Sequence, residues 1–205
     1  MLNVRSFSFY LFLVGVFAGS GCMPRHETVD AKDAQGRTIR YERRKKDFAK
    51  DGLYQRFWEN GTRAEEAEYA NDTLHGFRKY YYQNGNLESI EHFNHGTYHG
   101  KYEQYYQDGK LHIEQTYVQG ALQGISLSYY PNGNLKEKVT LQDNEEHGPF
   151  LEYYENGVLK TEGSYIPGED YPLEEGPLKE YDEQGQLVRV ADCKAGRCTT
   201  QWKKE

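Results

Sequence analysis

HGFRKYYYQNGNLESIEHFNHGTY, residues 75–98, is followed directly by HGKYEQYYQDGKLHIEQTYVQGAL, residues 99–122. Each stretch opens on His-Gly and carries paired tyrosines, Tyr81-Tyr82 and Tyr105-Tyr106. Each then has Asn-Gly or Asp-Gly, with a leucine two residues past that glycine, Leu87 or Leu111. The same beat runs along most of the chain. Its turn glycines are Gly61, Gly85, Gly109, Gly133, Gly157 and Gly185, at intervals of 24 residues with a last interval of 28. A second series keeps time with it: Gly52, Gly76, Gly100, Gly124, Gly148 and Gly176. A period of this length means stacked copies of one small unit, each too small to bury a core alone.

The unit reads as a β-hairpin. Asn-Gly and Asp-Gly tolerate the positive φ values that two-residue hairpin turns need. Leu111, Ile113, Gln115 and Tyr117 fall on one face at period two, with His112, Glu114 and Thr116 on the other. Glycine interrupts the pattern too often for helices. The expected fold is therefore all-β, an elongated single-layer antiparallel meander of about six tandem 24-residue hairpin repeats. At about 4.8 Å per strand, twelve strands would run ~60 Å. The composition suits a thin sheet: 37% of the 205 residues are hydrophobic, but 19 are tyrosines, whose rings can sit half-wetted.

The N-terminus departs from this pattern. Phe7 to Ala18 is almost wholly apolar, follows Arg5 and precedes Gly19-Ser20-Gly21-Cys22. A short positive region, an apolar core and small residues describe a secretory signal over residues 1–21. The apolar run is short of the roughly 20 residues that span a bilayer. Small residues ending on cysteine resemble the lipobox of bacterial lipoproteins. That resemblance implies acylation of Cys22, a membrane partnership through the lipid anchor, and a place in the cell envelope. Met23 in place of Asp implies the outer membrane where there are two. Gly19 stands where that family usually has Leu, and cleavage by ordinary signal peptidase is the alternative. Residues 22–50 then read as a lipidated N-terminus, a linker and a degenerate half-repeat around Gly36.

Removing residues 1–21 takes away Arg5, so the net charge moves from −7 to −8. An acidic chain outside the cytoplasm argues against nucleic acid as a partner, since phosphate neutralisation supplies most of such affinity. With Cys22 acylated, Cys193 and Cys198 remain as a pair around Lys194-Ala195-Gly196-Arg197. In an oxidising compartment a disulfide closing a terminal cap over residues 191–205 is expected. A metal half-site is the other reading, with no second Cys or His pair nearby to complete it.

The order of glycine, variable strand, Tyr-Tyr, x-Asn-Gly, x-Leu, then a Glu/Lys-rich strand and Tyr resembles the MORN-repeat-variant family. The units at 76–98, 100–122, 124–146 and 148–165 carry it best, and the resemblance covers residues 51–190. It implies an architecture rather than an activity. Bacterial members are often lipoproteins, one subgroup is assigned as antitoxins of toxin–antitoxin pairs, and eukaryotic relatives with the parent repeat are membrane-associated, protein-binding scaffolds. Ser164 to Glu174, with Pro167 and Pro172, breaks the beat and reads as a longer loop.

No catalytic or cofactor motif stands out, and no cofactor or metal is expected. His75, His99 and His147 recur, but residues one repeat apart lie about 9–10 Å from each other, too far to share a metal at ~2 Å bonds. Each is expected to bond the backbone of its own turn. Tyr82, Tyr106, Tyr130 and Tyr154 form the candidate binding stripe, with Tyr81, Tyr105, Tyr129 and Tyr153 facing the other way. Aromatic stripes suit protein or glycan partners, and equally suit stacking between neighbouring hairpins. The expected function is a non-enzymatic, membrane-tethered scaffold binding a protein or a cell-envelope polymer along one sheet face. An antitoxin or immunity protein that neutralises a toxin by contact is the alternative, and an envelope glycan hydrolase a third.

Overall fold

The computed structural model describes residues 25–205, and every regular element among them is a β-strand. Together they make one 18-stranded sheet. The first hairpin is β1 (His26–Lys32) and β2 (Thr38–Arg44). β3 (Lys50–Phe57), β4 (Arg63–Ala70), β5 (Thr73–Tyr81) and β6 (Leu87–Asn94) follow. β7 (Thr97–Tyr98) runs on into β8 (Gly100–Tyr105) and returns as β9 (Leu111–Val118). β10 (Ala121–Leu122) runs into β11 (Gly124–Tyr129), and β12 (Leu135–Gln142), β13 (Glu145–Tyr153) and β14 (Leu159–Ile166) come next. β15 (Leu173–Glu174) runs into β16 (Gly176–Tyr181), and β17 (Leu187–Lys194) and β18 (Arg197–Lys203) close the chain. Each row pairs antiparallel with the next. Among the described residues β1 pairs only with β2 and β18 only with β17, so the sheet is open.

The sheet is longer at both ends than the repeat alone. Residues read as linker and half-unit make a complete hairpin that pairs with β3 through Ile39↔Arg56 and Tyr41↔Tyr54. At the other end β17 passes through residue 190 without a break and pairs with β18.

The Asn-Gly loops are not the two-residue turns expected. Tyr82 N donates to Asn86 O at 2.9 Å and Gly85 N to Tyr82 O at 2.9 Å. Gly85 has φ +89°, while Asn84 is not among the residues with positive φ. The loop is thus a type I turn closed by one left-handed residue, which glycine supplies without a Cβ penalty. Two-residue turns do occur, at the opposite edge of the sheet. There Asn71-Asp72, His95-Gly96, Gln119-Gly120, Asp143-Asn144 and Ala195-Gly196 all have positive φ at both positions.

The second glycine series lies inside strands. Gly76 has φ +102° and faces Phe93 across the ladder; beside it the β4–β5 register slips between Ala67 and Tyr69. The equivalent pairs are Gly52↔Tyr69, Gly100↔Tyr117, Gly124↔Leu141, Gly148↔Tyr165 and Gly176↔Cys193. A bare glycine under each large side chain lets that side chain lean onto its neighbour. Phe93 and Tyr98 stand 4.5 Å apart between ring centres, Tyr98 and Tyr117 4.9 Å, and Phe150 and Tyr165 4.3 Å in a stack. In this way one face of a single layer is covered by its own rings. The tightest packing is towards the C-terminal end, where Val139, Leu141, Phe150, Leu178, Ala191 and Cys193 are buried together.

Candidate functional site

The candidate stripe stands in register along the edge that carries the Asn-Gly loops, and its rings are half-buried. Each hydroxyl has a partner within the sheet. Tyr82 donates to Tyr105 O at 2.8 Å, Tyr106 to Tyr129 O at 2.6 Å, Tyr130 to Tyr153 O at 2.8 Å and Tyr154 to Tyr181 O at 2.9 Å. Trp58 does the same in the preceding unit, its indole N–H reaching Tyr81 O at 3.0 Å. The Asn of the loop works in parallel. Its Oδ1 accepts the backbone N–H two residues on, as Asn84 does from Asn86 at 3.0 Å, and its Nδ2 donates to the next loop, as Asn84 does to Gln107 O at 3.1 Å. Asp108 has no such donor, and there Lys110 Nζ reaches Pro131 O at 2.6 Å instead. The stripe is thus a row of fasteners between units, and its hydroxyls are not free to meet a partner.

Tyr106→Phe keeps the ring and removes one such bond. A lost hydrogen bond of about 1 kcal/mol is expected to lower the melting temperature by roughly 2–4 °C, and Tyr106→Ala by more. A thermal melt followed by circular dichroism reads it; a Phe variant that melts with the unaltered chain would show that the hydroxyl holds nothing.

At the opposite edge, the residue before the strand glycine serves the turn beside it in five of the six units, and His147, which was expected to do so, makes no such bond among the described residues. Asp51 accepts from Asn71 N at 3.4 Å, His75 Nδ1 from His95 N at 3.5 Å, His99 Nδ1 from Gln119 N at 3.4 Å, and Glu175 from Ala195 N at 2.8 Å. Gln123 instead donates to the Asp143 carboxylate at 2.5 Å. These are the residues whose positive φ turns their amide outward from the ladder. His, Asp, Gln and Glu interchange here because each is a polar group of suitable reach, and His75 and His99 act as local acceptors for their turns. Among the described residues, no group of three or more His, Cys, Asp or Glu side chains is placed to hold a metal ion.

Sequence reasoning did not single out a cluster of carboxylates on the ring-covered face. Glu137 on β12 stands directly across from Glu152 on β13. Burial, and then the Glu152 charge, raise the Glu137 carboxyl above the usual range. Burial followed by Glu137 and Glu152 does the same to Glu146. Tyr165 feels burial first and then all of these charges together with Glu174, which push its phenol up to about 12. That phenol stays protonated and can serve only as a hydrogen-bond partner. Each shift is accounted for by burial and like charge, with no nucleophile or base paired to it.

Cys193 and Cys198 face each other across β17 and β18 and form a disulfide with Cα atoms 3.9 Å apart. Cys193 also holds the ladder position that Phe93 and Tyr117 hold in earlier units, opposite Gly176. The off-beat loop places Tyr171 in solvent at 68% exposure beside the Asp143-Asn144 turn. Cys22 lies outside the described residues.

No protein of curated function matches the chain in sequence. Among solved structures, a porin-like protein from Bacteroides uniformis is aligned at 8% identity over 85% of this chain and 92% of its own, with a TM-score of 0.21. So low a score carries no argument. The model of the MORN repeat variant matches residues 50–71, 74–95, 98–119, 122–143 and 146–166, five tandem copies over more than half of the sequence. Each copy spans one Asn-Gly or Asp-Gly loop with its two flanking strands, the unit that the fasteners join, and the chain belongs to the MORN repeat variant family.

Proposed function

We propose that this chain is a non-enzymatic repeat scaffold, tethered in the cell envelope through an acylated Cys22, that binds a protein or an envelope polymer along one face of its sheet. What supports the choice of face is that the two faces differ. One is filled by its own rings. The other leaves Ile125 52% exposed, on the same strand as Leu127, with Thr140 and Lys138 of β12 standing between this pair and Pro149 and Leu151 on β13. Apolar side chains left in solvent on a regular sheet are what a partner surface covers. A scaffold reading without catalysis is supported by the carboxylates, whose shifts have structural causes.

One experiment in intact cells tests both halves. A photoreactive residue at position 125 is expected to crosslink one defined partner, and Ile125→Glu to lose that partner with the melting temperature unchanged within about 2 °C. An acyl probe fed to the same cells is expected to label the chain and to fail on Cys22→Ala. Undiminished capture by the Glu variant removes the face from consideration, and equal labelling of Cys22→Ala removes the anchor.

A further inference from the structure

The loops from Trp58–Thr62 to Tyr154–Val158 each pass an aromatic donor to the loop that follows. The first loop, Asp33 to Arg37, does not. Its backbone closes in the same way, with Asp33 N on Arg37 O at 3.0 Å and Gly36 N on Asp33 O at 2.9 Å. But Asp33 stands in the tyrosine position and Gln35 in the asparagine position. The Asp33 carboxylate turns back on its own loop, accepting from Gln35 N and Arg37 N at 2.9 Å and from Arg37 Nε at 2.7 Å. Gln35 Oε1 is taken by Arg37 Nη2 at 3.0 Å. Phe57 O and Glu59 O are the counterparts of Tyr81 O and Gln83 O. Among the described residues, no side chain donates to either of them.

Between the first and second loops lies an open cavity of about 500 Å³, lined among others by Lys32, Arg37, Arg40, Phe57, Trp58 and Glu59. Its two guanidinium groups are already paired with carboxylates, and its one ammonium rests on a hydroxyl. Arg37 pairs with Asp33 at 2.7 Å, Arg40 with Asp30 at 2.8 Å, and Lys32 Nζ donates to Thr38 Oγ1 at 2.8 Å. An anionic ligand would find carbonyl oxygens and paired guanidinium groups. A ring with a hydrogen-bond donor at its tip finds two aromatic side chains and a carbonyl to which no described side chain donates, although the first hairpin lacks the bulge that the later ones carry beside their loops.

We propose that this cavity binds a tyrosine side chain of a partner protein. The phenol O–H donates to Phe57 O, the ring lies where Tyr82 or Tyr106 lies in the later junctions, and a backbone N–H of the same peptide meets Glu59 O. Upstream of the loop the sequence has a single tyrosine, Tyr10, inside the expected leader. The site is at the loop edge near the N-terminal end, and it stands or falls independently of the sheet face around Ile125.

The test uses the full mature chain with N-acetyl-tyrosinamide and N-acetyl-phenylalaninamide as probes, followed by the indole N–H resonance of Trp58. The tyrosine amide is expected to shift that resonance saturably, and the phenylalanine amide to bind about tenfold more weakly, the worth of one hydrogen bond of ~1.4 kcal/mol. In Asp33→Tyr/Gln35→Asn the chain fills its own cavity. That variant is expected to lose the shift and to melt higher than the unaltered chain. Equal binding of the two amides, no saturable shift with either, or undiminished binding in the double variant overturns the proposal. The comparison of the two amides is made on the unaltered chain, so it decides the matter even where the double variant does not fold.

Discussion

Phe150→Ala is expected to lower the melting temperature by roughly 6–15 °C and to split one unfolding transition into two. Phe150 is 4% exposed, stacks on Tyr165 with ring centres 4.3 Å apart, and belongs to the buried cluster with Val139, Leu141, Leu178 and Ala191. Truncating a buried phenylalanine costs about 3–5 kcal/mol. A single-layer sheet has no second layer to collapse into the gap. The loss should also stay local. In a tandem array each unit touches only its neighbours, so stability is close to a sum of unit and junction contributions. The rings of Phe93, Tyr98 and Tyr117 cover the middle units without help from Phe150. The strands from β12 onward should therefore melt first and leave the N-terminal hairpins standing. Hydrogen exchange resolved along the chain reads the order, and uniform loss of protection at a single temperature would contradict it.

Gly76→Ala is expected to lower the melting temperature by roughly 4–10 °C, and Gly124→Ala by about half as much. Both glycines have positive φ, +102° and +80°, where an alanine is strained by about 1–2 kcal/mol. They differ in surroundings. A Cβ on Gly76 would lie 2.0 Å from Glu68 Oε2 and 3.3 Å from Glu68 Cβ, whereas a Cβ on Gly124 meets nothing within 4 Å. The Glu68 carboxylate can swing away, but its Cβ is fixed to the strand, so some displacement reaches the pairing of β4 with β5. The difference between the two melts isolates crowding from backbone strain. Equal losses would mean that φ alone sets the cost.

The architecture was legible because glycine and Asn-Gly mark turns directly, and a strict 24-residue beat leaves few folds to choose from. The kind of turn was less legible, since Asn-Gly serves a two-residue turn and a type I turn with a left-handed glycine equally well. The turns at the other edge carry no two dipeptides alike, and Asn71-Asp72 and Asp143-Asn144 lack glycine altogether, so no unbroken glycine series announced them. The first hairpin was half-hidden for a related reason. Asp33 and Gln35 replace the tyrosine and asparagine by which a unit is recognised, though Gly36 keeps the turn. As for the stripe, sequence could place Tyr82, Tyr106, Tyr130 and Tyr154 in one row. Which carbonyl each hydroxyl meets depends on how neighbouring hairpins stagger, and that is a property of the sheet. The carboxylates at 137, 146 and 152 were lost among the 32 acidic residues until strand register brought them together.

The fasteners between units share one property of some reach. From Trp58 to Tyr154 the donor is a side chain, but the acceptor is a main-chain carbonyl of the next unit. Every residue type carries that carbonyl. At the loop edge a unit thus brings its own half of each junction, while on the ring-covered face Phe93 against Tyr98 still matches side chains of neighbouring units. So far as that edge is concerned, copies can be duplicated, lost or exchanged by recombination with no matching change next door, and the length of the sheet becomes a quantity that a lineage can alter in single steps.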